Sequence, residues 1–435
     1  MSRPGYGRPD NKRAWMVFLM LMEHGGAVAW ERYHAAAEAA VQNRDYETAE
    51  AEQLRAVGEA ERLGPTDSRL ASSLQDLLGI YFRTRKPAEL VDPVARRLLT
   101  LQESIAGPES TELIPALNAL ARASRELGHY EEAEDHLRRA LRIREQAMDD
   151  DTPAVVGELH ALGVHLWGRK RYSEAEVLFV HARNILARHP SAQAPIGIAA
   201  ILDCLAMMYQ GWGQPAKAEP VLRDQLQVAE EDSNDVEFVD WTKAPLLARL
   251  AVAYRDQGKY ELSDTAYAEA ISHYGRALRR TVGARRFRKP ETAGTSISLR
   301  ASITMRTAWL RHERAEVLRI MARPGEAALQ EAYAERSLKR AIAMEEARHR
   351  DDSIIVEALV GLAQVYLSVG KHAEAEPLYR RAIAIYRQAE KDQHEKLKSP
   401  EFAGERARVS EFYNHQIAVL DGEHAELLKK LRQSG

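Results

Sequence analysis

LNALARASRELGHYEEAEDHLRRALRIREQAM, residues Leu117–Met148, reads as two amphipathic helices hinged at Gly128. In the first half Leu117, Leu120, Ala121 and Ser124 follow the i, i+3, i+4, i+7 spacing of one helical face, and Ala133, Leu137, Ala140 and Leu141 do the same in the second. A glycine just past a helical run leaves the right-handed conformation without steric cost, so Gly128 marks the turn. The small residues Ala121, Ala133 and Ala140 let the two helices approach closely. One such hairpin exposes apolar surface that it cannot bury alone, and the pattern should recur.

Composition agrees with a helical array. Of the 435 residues 29% are charged and only 7% aromatic, which suits exposed helix faces better than strands. The formal net charge of −3 is the small difference between large balanced sets, so any argument for nucleic acid or a membrane surface must be local. Cys204 is the only cysteine; it lies within a helical pattern, where a small buried apolar role is expected, and it excludes an internal disulfide.

The N-terminus reads in two ways. Arg3, Arg8, Lys12 and Arg13 precede the apolar run Trp15–Met22, and a polar stretch ends in Ala27-Val28-Ala29, which is the layout of an export signal. The other reading is a hydrophobic first helix packed on the first repeat. The first makes the protein exported, the second leaves it cytoplasmic, and the run is too short for a permanent membrane anchor in either case.

From Trp30 onward the hairpin returns in the register Tyr46/Ala49, Tyr130/Ala133, Tyr172/Ala175 and Tyr260/Ser263, with degenerate copies at Pro87–Leu90, Pro215/Ala218 and His372/Ala375. Successive anchors over the first six copies are 41 to 45 residues apart, a regularity that predicts a solenoid. A seventh copy carries Ala334, Leu338 and Ala341 in its second helix and is expected to be interrupted by an extra segment, Arg323–Ala332. The links Gly64–Asp67 and Asp149–Pro153 carry helix-start chemistry, so the acidic triplet Asp149–Asp151 is read as a cap and not as a metal site.

Leu117–Gln146 and VGLAQVYLSVGKHAEAEPLYRRAIAIYRQ, Val360–Gln388, resemble tetratricopeptide repeats of the long variety found in kinesin light chains and many bacterial proteins. The resemblance covers nearly all of Trp30–Glu390 and rests on three sets of positions. These are the first-helix leucine pairs (Leu117/Leu120, Leu159/Leu162, Leu202/Leu205, Leu247/Leu250, Leu359/Leu362), the small residues after them (Ala121, Gly163, Ala206, Ala251, Ala363) and the second-helix alanines (Ala140, Ala182, Ala270, Ala382). It departs at Lys170, where the turn glycine stands, and at Gln225, a packing alanine. The resemblance implies an all-α fold, a right-handed α-solenoid of seven to eight helix-turn-helix repeats closed by a C-terminal capping helix. The expected division is a tail (1–29), six repeats (30–275), a basic insertion (276–306), two further repeats (307–395) and the cap (401–435).

Between Arg276 and Arg311 ten Lys or Arg face one Glu, and a loop is expected near Glu291–Ser298. Arg279, Arg280, Arg285, Arg286, Arg288 and Lys289 around Phe287 are candidates for an acidic partner or nucleic acid. The alternative is a loop solvated by its own charges, since Phe287 is the only stacking group among them. After the polar link Lys391–Glu405, Arg408–Arg432 carries the apolar stripe Val409, Phe412, Tyr413, Ile417 and Leu420 of a cap.

No catalytic constellation is present. His349-Arg350-Asp351 imitates a kinase tripeptide without the accompanying glycine-rich loop, His160 and His165 diverge on a helix, and no cofactor or metal is expected. In tetratricopeptide repeats the first helix of each hairpin lines the inner face. That places Asn118, Arg122 and Arg125, then His160 and Trp167, then Asp203, Met207 and Gln210, then Arg249 and Arg255, then Gln364 in a groove for a protein or peptide. The resemblance to kinesin light chains implies an asparagine ladder, of which only Asn118 is present; His160, Asp203, Ala248 and Val360 hold the equivalent places. The competing reading is that Trp167 and Met207 pack on neighbouring helices and the arginines form a solvated face.

Overall fold

The computed structural model describes residues 11–148, 152–190, 194, 196–231, 236–283, 293–347, 352–398 and 403–434. Within them the chain forms helices joined by tight turns, in two compact units, Met1–Cys204 and Leu205–Gly435. The first unit holds hairpins α1/α2 (Asn11–Gln42, Tyr46–Leu63), α3/α4 (Ser68–Thr84, Ala88–Ala106), α5/α6 (Ile114–Glu126, Tyr130–Ala147) and α7/α8 (Val156–Gly168, Tyr172–Arg188). Helix α9 (Ile198–Gly211) spans the division and is joined to α10 (Pro215–Glu231) by the turn at Gly213. The second unit continues with α11/α12 (Val236–Asp256, Tyr260–Gly283), α13/α14 (Ala293–Ile320, Pro324–Glu346), α15/α16 (Asp352–Ser368, His372–Lys396) and α17 (Ala403–Ser434). The fold is an all-α repeat solenoid.

One backbone device closes every hairpin. A residue with positive φ stands at each turn: Arg44, Arg85, Gly128, Lys170, Gly213, Gly258, Ala322 and Gly370. The N–H of the next residue donates to the carbonyl five positions back, from Asp45 to Ala40 at 2.9 Å through His129 to Ser124 at 2.7 Å to Lys371 to Tyr366 at 2.8 Å. This Schellman bond satisfies a carbonyl that the helix end leaves open. Glycine adopts the conformation freely; elsewhere Arg44, Arg85, Lys170 and Ala322 hold it at φ of 54° to 60°.

Packing follows the repeat. The leucine pairs are buried in all five copies, as are Ala133, Ala140, Ala182, Ala270 and Ala382, and the second helix of a hairpin packs on the first of the next at α4·α5, α6·α7, α12·α13 and α14·α15. Gly163 is small for a specific reason: a Cβ there would lie 2.8 Å from Cε1 of Phe179, a fully buried ring. Asp67 caps α3 by accepting from the Arg69 N–H at 2.9 Å. The triplet Asp149–Asp151 lies outside the described residues.

Four expectations are corrected. Arg323–Ala332 is no interruption: the turn falls at Met321–Arg323 and α14 runs unbroken from Pro324, because Ala322 takes the left-handed turn position that the sequence reading reserved for glycine. The loop expected to reach Ser298 ends sooner, since α13 begins at Ala293. The link after Glu390 is helical as far as Lys396. The capping segment is one helix in which Ile417, Leu420 and Leu427 are buried, whereas Phe412 is 55% exposed. At the N-terminus α1 runs through Trp30 without a break, and no described helix is long and apolar enough to cross a membrane.

Candidate binding surface

Counting back from each turn residue, the inner-face positions of a first helix stand ten, six and three residues earlier, as Asn118, Arg122 and Arg125 stand to Gly128. In α5 Asn118 is half-buried with Oδ1 unpartnered, and Arg125 is exposed. Arg122 lies over the Phe82 ring of α3 at 4.7 Å while its Nε donates to Glu126 at 3.1 Å. Neighbouring first helices therefore touch through residues of this register.

In α7 Trp167 is half-buried, and His160 Nε2 lies 3.5 Å from the Cys204 thiol. Burial pushes the thiol up to about 11, helped by the charge of Asp203, and holds the His160 imidazole below its ordinary value. The pair is neutral at pH 7 and lacks the thiolate a nucleophile requires. Asp203, Gln210, Arg249 and Arg255 are half-buried on their first helices, and Met207 is exposed. Gln210 accepts from Arg249 Nε at 3.0 Å, and Arg255 donates to Glu313 of α13 at 2.5 Å. Gln364 lines a cavity of about 550 Å³ against α17, with Leu367, Val419 and Leu427.

The same register applied to Arg44 and Arg85 gives His34, Glu38 and Val41 on α1 and Gln75, Gly79 and Phe82 on α3. Five of these six, all but His34, line a cavity of about 510 Å³ in the first unit, completed by Gln42, Asp76, Arg83 and Pro115 among others. Sequence reasoning missed this site because both copies carry arginine where the turn glycine was sought. Trp30 supports it from below: its Nε1 donates to Ser73 Oγ at 2.8 Å and its ring stacks on His34 with centroids 4.8 Å apart. His34 in turn lies 3.7 Å from Glu38 and 3.7 Å from Asp76.

The basic insertion divides. Arg276 and Arg280 lie in the last turns of α12 and, with His273, surround the buried carboxylate of Asp240 on α11 at 3.0, 2.6 and 2.7 Å. Burial raises the Asp240 carboxyl, but hydrogen bonds from His273 and Arg276 and the arginine charges outweigh it and hold it below its ordinary range. Arg280 thus serves the interior, which removes it from the proposed basic patch, while Arg279 is exposed. Arg285, Arg286, Phe287, Arg288 and Lys289 lie outside the described residues, as does His349-Arg350-Asp351.

In the seventh hairpin the register gives His312, Glu316 and Arg319. Ligand atoms of His312, Glu316 and Glu331 fall within 4.8 Å of one another. Arg319 donates to both carboxylates and Ser368 Oγ donates to Glu331 at 2.6 Å, so the cluster is an ion-pair network in which one guanidinium already serves both acids.

Models of the tetratricopeptide repeat match residues 94–146, 244–272 and 356–395, which contain α5/α6, most of α11/α12 and most of α15/α16. Among solved structures the chain is similar to a kinesin-light-chain-like repeat protein from Podosopora anserina, at 18% identity over 52% of this chain and 99% of that one, with a TM-score of 0.41. It is also similar to BtubC from P. vanneervenii (17% identity, 56% and 94% covered, TM-score 0.44) and to a tetratricopeptide repeat protein from Parabacteroides merdae (15%, 76% and 99%, 0.39). Among curated proteins no sequence matches. The turn, the leucine pairs and the packing alanines recur around the three matched stretches, and in those stretches the chain carries tetratricopeptide repeats.

Proposed function

We propose that the protein is a non-catalytic interaction scaffold that binds a peptide or protein partner along the inner, first-helix faces of its repeats. The observation that carries this reading is the cavity between α1 and α3, because it is built from the very positions that the repeat register assigns to the inner face. Aromatic and arginine groups flank it, Phe82 under Arg122, and such groups commonly dominate peptide interfaces once desolvated. Trp167 on α7 offers a second anchor in the same unit. The rival, an adaptor for nucleic acid or another acidic partner working through Arg276–Arg311, loses two of its cations to Asp240.

Panning a displayed library of random short peptides on the intact chain tests the proposal. Peptides are expected to be selected and to bind saturably, and Arg122→Ala with Trp167→Ala should weaken them roughly tenfold, the scale of one good anchor. Failure to select any peptide, or equal binding by the substituted chain, removes the inner face as the site. Nucleic-acid binding that falls steeply with added salt would favour the rival instead.

A further inference from the structure

We infer that the cavity between α1 and α3 receives a Lys or Arg side chain of the bound peptide, with its charged end against Glu38 and Asp76. The inference rests on the interaction reading above and names the chemistry of its first subsite.

The cavity is charge-divided along α3. At one end Glu38 and Asp76 face a single histidine, His34, 3.7 Å from each. At the other, seven residues further along the same helix, stands Arg83, about 10 Å away at 1.5 Å per residue. Ala37, Val41 and Ile80 give apolar wall between the two ends. An aliphatic stem fits such a wall while its cationic head reaches the carboxylates.

The acidic end is short of positive charge. Burial raises the Asp76 carboxyl above its ordinary range and the like charge of Glu38 adds to this; the nearby His34 and a hydrogen bond from Ser72 offset it only in part. An incoming ammonium or guanidinium would relieve that repulsion through charge-assisted hydrogen bonds, whereas a phosphate or an acidic side chain would meet it. Gly79 keeps the floor open: a Cβ built there meets nothing within 4 Å. A larger side chain at this helical position would start in the open space of the cavity and occupy it.

The test uses the full chain, the Glu38→Gln/Asp76→Asn double variant and Gly79→Leu, each checked for unchanged helical circular dichroism. Peptides selected from the random library by the unmodified chain should share a Lys or Arg at one position. Replacing that residue by norleucine in the synthetic peptide should weaken binding roughly tenfold, the loss of one charge-assisted contact. The double variant should no longer distinguish the two peptides, and Gly79→Leu should bind neither. Selected peptides without a shared basic residue, or a norleucine effect that persists in the double variant, overturn the inference and leave the scaffold reading standing. Absence of any selected peptide overturns the scaffold reading itself.

Discussion

Hairpins α5/α6 and α13/α14 close with the same turn but hold their helices together by different means. The first, of 13 and 18 residues, is joined by apolar contact, with Leu117, Leu120, Ala133 and Ala140 all at 1% exposure or less. The second, of 28 and 23 residues, keeps Ala315, Leu318, Ala327 and Leu338 buried but adds a polar layer of Arg319, Glu316, Glu331 and Ser368. Asp264 of α12 extends it by accepting from Arg314 at 2.5 Å and Arg323 at 3.3 Å. Apolar burial is non-directional and tolerates drift, whereas a buried ion pair binds particular partners. The consequence falls on the inner face. Positions held by Asn118, Arg122 and Arg125 in α5 correspond to His312, Glu316 and Arg319 in α13, where His312 and Arg319 engage Glu331 of α14 and Glu316 pairs with Arg319. One register yields an open surface in the first hairpin and internal cement in the second.

The sharpest way to break this contrast is to remove one charge. Glu331 is only 3% exposed, so Arg319→Met leaves its carboxylate with the Ser368 hydroxyl and, at 3.9 Å, His312, and should cost about 3–5 kcal/mol in urea unfolding. Adding Glu331→Met should recover most of that loss; a single substitution costing less than about 1 kcal/mol would mean the polar layer is decoration. In the apolar hairpin Leu120→Ala should cost about 2–5 kcal/mol through the cavity it opens, and no polar change nearby should restore it.

Acid separates the hairpins next. His136 on α6 and His160 and His165 on α7 are held below the ordinary histidine value of 6.5 chiefly by burial. The unfolded chain therefore takes up protons first as pH falls. Stability should be intact above 6.5 and should decline as pH drops through 6.5 toward the lower folded values, with local hydrogen exchange in α6 and α7 rising first. Replacing all three histidines by glutamine should flatten the profile there. Exchange in α13 and α14 over the same window is the internal reference.

The sequence made α5/α6 legible because its cues are local and periodic: leucines at helical spacing, alanines facing them and a glycine between. It misplaced α13/α14 because Ala322 gives no turn signal, and it lost the cavity on α1 and α3 because Arg44 and Arg85 give none either. Lys170 held the clue, since a lysine in the glycine place with both flanking helices intact implies that the backbone bond, and not the residue, defines the turn. Moving the groove register onto Arg44 and Arg85 would have found Glu38, Gln75 and Phe82. The ion pairs were out of reach for another reason. Asp240 and Arg280 are 40 residues apart, and no periodicity links a carboxylate on one helix to the arginine that meets it from the next.

The turns themselves supply the smallest effect and the closest test of that explanation. At Gly128 the N–H of His129 donates to Ser124 at 2.7 Å, and at Ala322 the N–H of Arg323 donates to Leu318 at 2.8 Å, so the two turns share one bond and differ in one methyl group. Alanine in the left-handed region costs about 1–2 kcal/mol, while glycine costs about 0.4–1 kcal/mol in chain entropy lost on folding. Gly128→Ala should therefore destabilise by about 1 kcal/mol or less, and Ala322→Gly should stabilise by a similar amount, both read from the urea midpoint. Lys170→Gly should follow Ala322→Gly in sign. If Ala322→Gly instead destabilises, the methyl group contributes to the α13/α14 interface and the turn is not interchangeable. If both glycine substitutions stabilise, the departures from glycine are small costs that the flanking helix contacts absorb, and a repeat can change its turn residue without changing its geometry.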